Sequence, residues 1–214
     1  MKTNQILELY QIKKSEIQKK LEEFREVLNQ SDERTFAELA FCICTPQSKA
    51  FACWNAISSL VKNNFLFIGN DKQVRSFLNS VRFADTKTKY IIEARNFFTE
   101  NGKLKIKEKI KSFKNTFQLR DWLTGNIKGI GIKEASHFIR NIGFDYKNQL
   151  GILDRHILKN LKKFGVIKEI PKTMTRKKYL EIENKIRKFS ERIGIPLYEL
   201  DMLLWSKETG KVFK

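Results

Sequence analysis

The chain has 214 residues, and 41% of them are hydrophobic, which is enough for a buried core and excludes a wholly disordered chain. It carries 42 Lys and Arg residues against 24 Asp and Glu residues, and this formal net charge of +18 favours a polyanionic partner such as nucleic acid. No apolar run approaches the roughly 18 residues of a membrane span, and the polar N-terminal sequence is unlike a secretory signal.

The three cysteines lie close together, at Cys42, Cys44 and Cys53. Their odd number favours free, buried thiols in a reducing cytoplasm over disulfides. A zinc or iron–sulfur site needs four clustered soft ligands, and the chain has only two histidines, His137 and His156. We therefore expect no metal, no cofactor and a cytoplasmic location.

Apolar residues recur at helical spacing along almost the whole chain, which predicts an all-α fold of about ten helices. The residues up to Leu28 form one long amphipathic helix or a pair of helices. The segment Ser31-Asp32-Glu33-Arg34 is suited to cap the start of a helix over Phe36 to Cys44, and Pro46 ends this helix or begins the next. Further helices are predicted over 48–63, 70–80, 85–100, 103–112, 116–124, 132–142, 154–164, 174–193 and 196–208. In the first of these, the residues predicted to face inward are Ala50, Trp54, Ile57 and Val61.

Two polar stretches that interrupt the helical pattern indicate two helical subdomains with a cleft between them. Residues 32–142 would form a central bundle. Residues 1–31 and residues 144–214 would together form the second subdomain.

The segment NIKGIGIKEASHFIRNIG carries the most specific signal in the chain. Gly125 is predicted to end the preceding helix in a left-handed conformation, and Gly129 and Gly131 allow a tight turn around Ile130. The Ile130 side chain is expected to point into the core between the two helices. The next helix would direct its free N–H groups and positive dipole end at a DNA phosphate. The segment predicts a helix–hairpin–helix motif over about 116–142 that clamps the DNA backbone. The alternative is an ordinary turn between two helices.

Two charged residues stand out near this motif. Lys133 opens the helix after the hairpin, and Asp154, in the segment GILDRHILKNL, heads a helix 21 residues later. Taken separately, Asp154 would be a helix cap and Lys133 a solvated phosphate contact. Together with the Gly-x-Gly hairpin they resemble the helix–hairpin–helix base-excision DNA glycosylases, in which the lysine is the nucleophile and the aspartate is its electrostatic partner.

Four segments of the chain indicate one family within this group of glycosylases. The segments NIKGIGIKEASHF, ILDRHIL, IPKTMTRKKYLEIENKIR and TGKVFK are together similar to the compact, mostly archaeal type-2 8-oxoguanine DNA glycosylase/AP lyases. The similarity is close from the hairpin to the C-terminus and looser in the first half. The loop between Lys133 and Asp154 is slightly longer than the family pattern, and the chain lacks the C-terminal four-cysteine cluster of the endonuclease III branch.

This resemblance implies a reaction that needs no metal or cofactor. Lys133 would attack C1′ of the damaged nucleotide, and the Asp154 carboxylate would stabilise the positive charge that develops on the sugar. A lysine attacks only as the neutral amine, which a helix N-terminus and basic neighbours favour. The resulting Schiff base would acidify C2′, so that β-elimination cuts the strand on the 3′ side of the abasic site.

The base must leave the stack, which requires one residue to fill the gap and a pocket to hold the base. Gln47 matches the segment in which the wider family carries a gap-filling glutamine, although an ordinary loop residue is the alternative. Phe83 and Trp205 match positions that the family uses to stack the purine, but Phe83 is equally suited to fill the core. Asp201 shares a helical face with Trp205 and would read a purine edge, cap the helix or pair with a lysine.

The resemblance also implies that the last residue, Lys214, reaches the pocket and helps to separate 8-oxoguanine from guanine. 8-Oxoguanine has an N7–H donor where guanine has an acceptor, so an acceptor placed near N7 distinguishes the two bases. A frayed tail is the alternative. Phosphate contacts are expected from Lys128, Arg140, Arg155, His156 and Lys159.

The preferred function is therefore a monomeric, bifunctional 8-oxoguanine DNA glycosylase/AP lyase that acts on double-stranded DNA in a prokaryotic cytoplasm. One alternative is a glycosylase on the same scaffold that removes another oxidised base. Another is a non-catalytic helix–hairpin–helix protein that only binds DNA. The pairing of Lys133 with Asp154 argues against the last alternative, because a clamp requires neither residue.

Overall fold

The computed structural model describes residues 3–144, 147 and 149–214, and their fold is built from helices, which confirms the predicted all-α class. None of the helices in this described part is both long and apolar enough to cross a lipid bilayer. The helices are α1 (Thr3–Arg25), α2 (Asp32–Cys44), α3 (Ala50–Lys62), α4 (Phe65–Ile68), α5 (Asp71–Phe77), α6 (Ala84–Phe97), α7 (Ile106–Lys111), α8 (Thr116–Asn126), α9 (Ile132–Asn141), α10 (Arg155–Lys163), α11 (Arg176–Ile193) and α12 (Leu197–Thr209). Two short strands, β1 (Thr99–Glu100) and β2 (Lys103–Leu104), pair in antiparallel fashion.

The chain divides into two compact units. The terminal unit combines residues 1–25 with residues 145–214, and the central unit comprises residues 26–144. The sequence places the first boundary between residues 31 and 32. In the structure, Val27 and Leu28 are buried in a short 3-10 turn that contacts α2, and this turn therefore belongs to the central unit.

The core of the central unit surrounds α2. The predicted capping segment begins this helix, and within it the Ser31 side chain is the cap, which accepts a hydrogen bond from the Arg34 N–H at 3.2 Å. Every side chain from Phe36 to Cys44 is buried, and α2 contacts α3, α6, α7 and α9. The buried Glu38 carboxylate lies 2.7 Å from Arg34 Nη1 and accepts a hydrogen bond from Asn141 Nδ2 at 3.1 Å, so its charge is compensated.

In the terminal unit, α12 is the most enclosed helix and contacts α1, α10 and α11. Of the two arrangements left open by the sequence, α1 is a single helix of 23 residues. Its apolar face buries Ile6, Ile17 and Phe24. The buried Tyr10 hydroxyl donates a hydrogen bond to Glu199 Oε2 of α12 at 2.6 Å, which connects the two helices.

Three predicted helix ends in the central unit, at residues 100, 103 and 125, are wrong. The helices predicted over 85–100 and 103–112 are separated by the β1–β2 hairpin, because Asn101 and Gly102 both have positive φ, at +49° and +73°. Asn-Gly favours this type of two-residue hairpin turn, and it is the sequence signal for the strands. Gly125 does not end a helix either, since α8 continues through it to Asn126.

The inward face of α3 also differs from the prediction. Its buried side chains are those of Cys53, Ala56, Ile57 and Leu60, whereas Ala50 and Trp54 are half-buried and Val61 is exposed. The helix presents Cys53 to α2, where the Sγ atom donates a hydrogen bond to the Cys44 carbonyl at 3.2 Å. All three cysteines are free and buried, as predicted.

Candidate active site

The central unit contains the predicted hairpin between the packed helices α8 and α9. Gly129 has a φ of +82°, a left-handed conformation that favours glycine. A Cβ atom at this position would lie 2.6 Å from Cδ2 of Tyr90 on α6, so the tyrosine ring packs directly on the hairpin backbone. Ile130 is buried, as predicted, and Gly131 begins α9 with an extended backbone. The hairpin backbone therefore packs so closely on Tyr90 that a side chain at position 129 would clash with the ring.

Lys133 lies in the first turn of α9, beside N–H groups that a helix leaves without intrahelical partners. Its side chain is 25% exposed, and its Nζ atom lies 2.9 Å from Oε1 of Glu134. The amine is therefore accessible to a ligand, and the neighbouring carboxylate holds it at the start of the helix.

A second lysine, Lys87 of α6, lies within electrostatic range of Lys133 and is not among the residues predicted from the sequence. It is only 4% exposed, and its Nζ atom donates hydrogen bonds to the Cys44 and Pro46 carbonyls at 2.7 Å each and to Ser48 Oγ at 3.0 Å. Burial lowers the pKa of Lys87, and the Lys133 charge acts in the same direction. The feature of the sequence that indicates its burial is its position on the apolar side of the helix predicted over 85–100.

Gln47 and Phe83 are both exposed, and both have a left-handed backbone, with φ of +56° and +59°. Gln47 lies in the turn between α2 and α3, and Phe83 immediately precedes α6. Phe83 is 53% exposed with the Arg82 guanidinium 5.0 Å from its ring centroid, so the alternative in which it fills the core is wrong. Both side chains are accessible to a ligand of the central unit.

The basic residues near the hairpin differ in exposure. The Lys128 side chain is 68% exposed, and its Nζ atom lies 3.0 Å from Oε2 of Glu93 on α6. The prediction that Arg140 contacts a phosphate is wrong. This residue is 3% exposed, and its guanidinium donates hydrogen bonds to Asn141 Oδ1. The end of α9 is enclosed by the central unit, which directs this cation inward.

Asp154, in the terminal unit, caps α10. Its Oδ1 atom accepts a hydrogen bond from the Ile157 N–H at 2.8 Å, which confirms the helix-capping role that the sequence offered as an alternative. The second oxygen, Oδ2, accepts no hydrogen bond from the residues that the structure describes, and it remains available to a ligand. Of the basic residues on α10, Arg155 and Lys159 are exposed and His156 is half-buried.

A buried amide connects the helix that Asp154 caps to the helix that carries Trp205. Asn160 of α10 is 1% exposed, and its Nδ2 atom donates a hydrogen bond to Glu208 Oε1 at 3.0 Å. Its Oδ1 atom accepts one from Lys207 Nζ at 2.8 Å. The hydrogen bond from Asn160 lowers the pKa of Glu208. The sequence did not reveal this contact, because its partners are far apart along the chain.

The C-terminal tail packs on its own unit. Asp201 is 3% exposed in α12, and Trp205 is half-buried one turn later on the same face. The ring centroids of Trp205 and Phe213 are 6.2 Å apart, and Lys214 Nζ lies 5.5 Å from the ring centroid of Phe24 in α1. The alternative of a frayed tail is therefore wrong.

The predicted site residues are divided between the units. The central unit holds Gln47, Phe83, Lys128, Gly129, Gly131 and Lys133. The terminal unit holds Asp154, Arg155, His156, Asp201, Trp205 and Lys214. In the described parts of both units, no group of three or more His, Cys, Asp or Glu side chains is placed to hold a metal ion.

These features match a known family. The family model described as 8-oxoguanine DNA glycosylase matches residues 17–195. The chain belongs to this family. The resemblance inferred from the motifs is thereby confirmed. A relative in this glycosylase family, the 8-oxoguanine DNA glycosylase/AP lyase of Fusobacterium nucleatum, is 43% identical over 212 residues, which cover 99% of this chain and 97% of the relative.

Solved structures of the same family match the fold as well. The Methanocaldococcus jannaschii 8-oxoguanine glycosylase/lyase, in complex with a 15mer DNA containing 8-oxoguanine, has a TM-score of 0.86 and 38% identity, and the match covers 98% of this chain and 99% of that chain. The 8-oxoguanine DNA glycosylase of Thermotoga maritima has a TM-score of 0.84 and 32% identity, with 99% and 98% coverage. The similarity therefore extends over both units.

Gly129→Ala should destabilise the protein by more than about 1 kcal/mol, because the new Cβ atom meets the Tyr90 ring and the backbone keeps a positive φ. Binding to duplex DNA should weaken together with stability. The matched control is Gly125→Ala inside α8, where a Cβ atom meets nothing within 4 Å, and we expect a gain of about 0.5–1 kcal/mol. Urea denaturation and fluorescence anisotropy measure the two quantities. Equal stability of the two variants would contradict the close packing at the hairpin.

Proposed function

We propose that this protein removes 8-oxoguanine from double-stranded DNA and then cleaves the strand at the abasic site. The position of Lys133 carries this proposal, because a partly exposed amine begins the helix that follows a glycine hairpin. Backbone N–H groups at such a helix start bind a DNA phosphate, which places the amine near the sugar. The relatives named 8-oxoguanine DNA glycosylase/AP lyase match nearly the whole chain and support the same reaction.

The reaction begins when Lys133 Nζ attacks C1′ of the damaged nucleotide. The glycosidic bond breaks, and its electron pair leaves with the base. The amine gives up one proton, which neutralises the departing base, and its nitrogen then forms a double bond to C1′ as O4′ leaves with the electron pair of the C1′–O4′ bond and takes up a proton from solvent. The resulting Schiff base keeps its last N–H and is positively charged, so it acidifies C2′, which loses a proton to solvent. The resulting electron pair forms a C2′–C3′ double bond and expels the 3′ phosphate. The contact between Lys133 and Glu134 must open before the attack.

Asp154 stabilises the positive charge that develops on the sugar as the base departs. Its hydrogen bond to the Ile157 N–H holds the carboxylate in one orientation, so no reorganisation is needed during the reaction. A carboxylate held in this way favours the transition state more than a mobile one does.

Five residues recognise the extruded base and fill the space that it leaves. Gln47 fills the gap in the duplex, and the exposed Phe83 ring offers a flat face for the purine. Trp205 offers a second face, with Asp201 one turn before it. The tail that ends at Lys214 reads N7–H of 8-oxoguanine through the terminal carboxylate or a backbone carbonyl, neither of which accepts a hydrogen bond from guanine N7.

The DNA backbone binds to the hairpin of the central unit and to basic side chains of both units. The contributing residues are Lys128, Gly129, Gly131, Arg155, His156 and Lys159. The chemistry requires no metal or redox cofactor, because the lysine amine supplies the electrophilic intermediate. A monomer suffices, and in a prokaryotic cell the substrate DNA lies in the cytoplasm.

The decisive experiment is borohydride trapping on a duplex that contains 8-oxoguanine. The wild-type protein should form a covalent adduct, whereas Lys133→Gln should bind the duplex but form none, because no Schiff base exists to be reduced. Lys185→Gln is the matched control, since it removes an exposed lysine of α11 that pairs with Glu181 and should trap normally. Robust trapping by Lys133→Gln would assign the nucleophile to another residue.

The Asp154→Asn substitution should distinguish the helix-capping role of Asp154 from its proposed role in catalysis. Asparagine caps a helix about as well as aspartate, so the free energy of unfolding should change by only a few tenths of a kcal/mol. Excision should fall by several orders of magnitude, because the charge is lost. Thr175→Ala, which removes the cap of α11, should cost about 1 kcal/mol of stability and leave excision unchanged. Single-turnover rates and urea denaturation test this prediction, and near-normal excision by Asp154→Asn would leave only the capping role.

Deletion of Lys214 should reduce discrimination more than strand cleavage. The terminal carboxylate then moves by about 3.5 Å along the chain, too far to keep the same hydrogen bond. The preference for 8-oxoguanine over guanine should fall by about 1–3 kcal/mol, or roughly five- to 150-fold. Cleavage at a preformed abasic site should change much less. The measurement is the single-turnover rate on three duplexes, and equal losses on lesion and abasic substrates would mean that the tail reads no base.

A further inference from the structure

Two residues of the central unit have a strained backbone. Among the described residues, the non-glycine positions with positive φ are Gln47, Asn64, Phe83 and Asn101. Asparagine tolerates this conformation, but glutamine and phenylalanine do so poorly. Strain of this kind persists only where the surrounding contacts impose it, and it clusters at functional sites. The two strained positions, Gln47 and Phe83, are those assigned above to the gap in the duplex and to the base.

Gln47 occupies the third position of a β-turn. The Ser48 N–H donates a hydrogen bond to the Thr45 carbonyl at 3.0 Å, Pro46 is in the second position, and Gln47 has a φ of +56°. This is the pattern of a type II turn, which normally carries glycine or asparagine where this chain has glutamine. Type I and type II turns differ in the orientation of the central peptide, whose carbonyl here is that of Pro46.

The Lys87 ammonium binds this central peptide. Its three donors are directed to the Pro46 carbonyl, the Cys44 carbonyl and Ser48 Oγ, at 2.7, 2.7 and 3.0 Å. A flip of the central peptide to the type I form would turn the Pro46 carbonyl away and leave a donor of a buried cation unsatisfied. The ammonium therefore selects the type II turn and, with it, the positive φ of Gln47.

The same group of contacts extends to Phe83. Ser48 Oγ, which accepts a hydrogen bond from Lys87, also accepts one from the Arg82 N–H at 2.9 Å. The Lys87 N–H donates a hydrogen bond to the Phe83 carbonyl at 3.0 Å, in the first turn of α6. The backbone on both sides of Phe83 is thus attached to the residues that hold the turn.

We propose that Lys87 is a positioning residue for base extrusion, whose ammonium holds the 45–48 turn in the form that directs Gln47 into the DNA. The proposal rests on the function proposed above and extends it to a residue that does not contact the base. Removal of the ammonium allows the central peptide to flip, and Gln47 then leaves its position without any change in its own side chain.

A double-mutant cycle of Lys87→Met and Gln47→Ala tests this proposal. One readout is the single-turnover rate of 8-oxoguanine excision. The second is the fluorescence of 2-aminopurine placed opposite a tetrahydrofuran abasic analogue, which reports insertion into the duplex and needs no catalysis. Each single variant should slow excision by roughly 10- to 100-fold, because misplacement of about 1 Å has effects of this size. The double variant should be no slower than the slower single variant, and the fluorescence changes should likewise not add.

Thr88→Val is the matched control, because Thr88 is buried next to Lys87 and its hydroxyl has no hydrogen-bond partner in the described part of the chain. This variant should match the wild type in both readouts. If circular dichroism finds Lys87→Met unfolded, Ser48→Ala takes its place in the cycle, since it removes an acceptor shared by Lys87 and Arg82.

Additive effects of the two substitutions would overturn the proposal, because Lys87 would then act through general stability. A wild-type rate and fluorescence for Gln47→Ala would overturn it as well. Failure of the proposed function is a different result. In that case the wild-type protein would not excise 8-oxoguanine, while the fluorescence cycle would still decide whether Lys87 acts through Gln47.

Discussion

The close packing of the Tyr90 ring on the backbone of Gly129 is the constraint on which the candidate site of the central unit depends. It attaches the hairpin to α6, and that helix also carries Lys87, which binds the turn before α3, and Glu93, which pairs with Lys128. A spacing of three residues places these α6 side chains on neighbouring positions of one helical side. One side of α6 therefore positions both the hairpin and the turn.

In the terminal unit, one residue serves both folding and the proposed chemistry. Asp154 caps α10 with one carboxylate oxygen and leaves the other available, so the two roles do not compete for the same atom. Asn160 then connects α10 to α12 through Glu208 and Lys207. A buried amide is well suited to this connection, because it donates and accepts at once and leaves no charge to be compensated. The arrangement holds the Asp154 cap and the Trp205 helix in one rigid unit.

Local signals predicted much of the fold and some of the site. The capping segment that begins at Ser31, the core position of Ile130 and the helix start at Asp154 are predictable, because each depends on neighbours within one or two turns. The prediction for Arg140 is wrong, because a cation in an amphipathic pattern does not reveal which face the rest of the unit covers. The Asn101–Gly102 hairpin has a local signal, but the helical pattern on both sides of it favours continuous helices.

Local spacing and capping specify most of the helices, the glycine hairpin, and the positions of Lys133 and Asp154 at helix starts, since these effects act between residues that are close along the chain. The binding of Lys87 to carbonyls 41 and 43 residues before it, and the packing of the Lys214 tail on α1, depend on the folded units. These contacts join segments that are far apart in the sequence. Their selection depends on which faces meet in the folded units, and no local pattern of residue types records that choice.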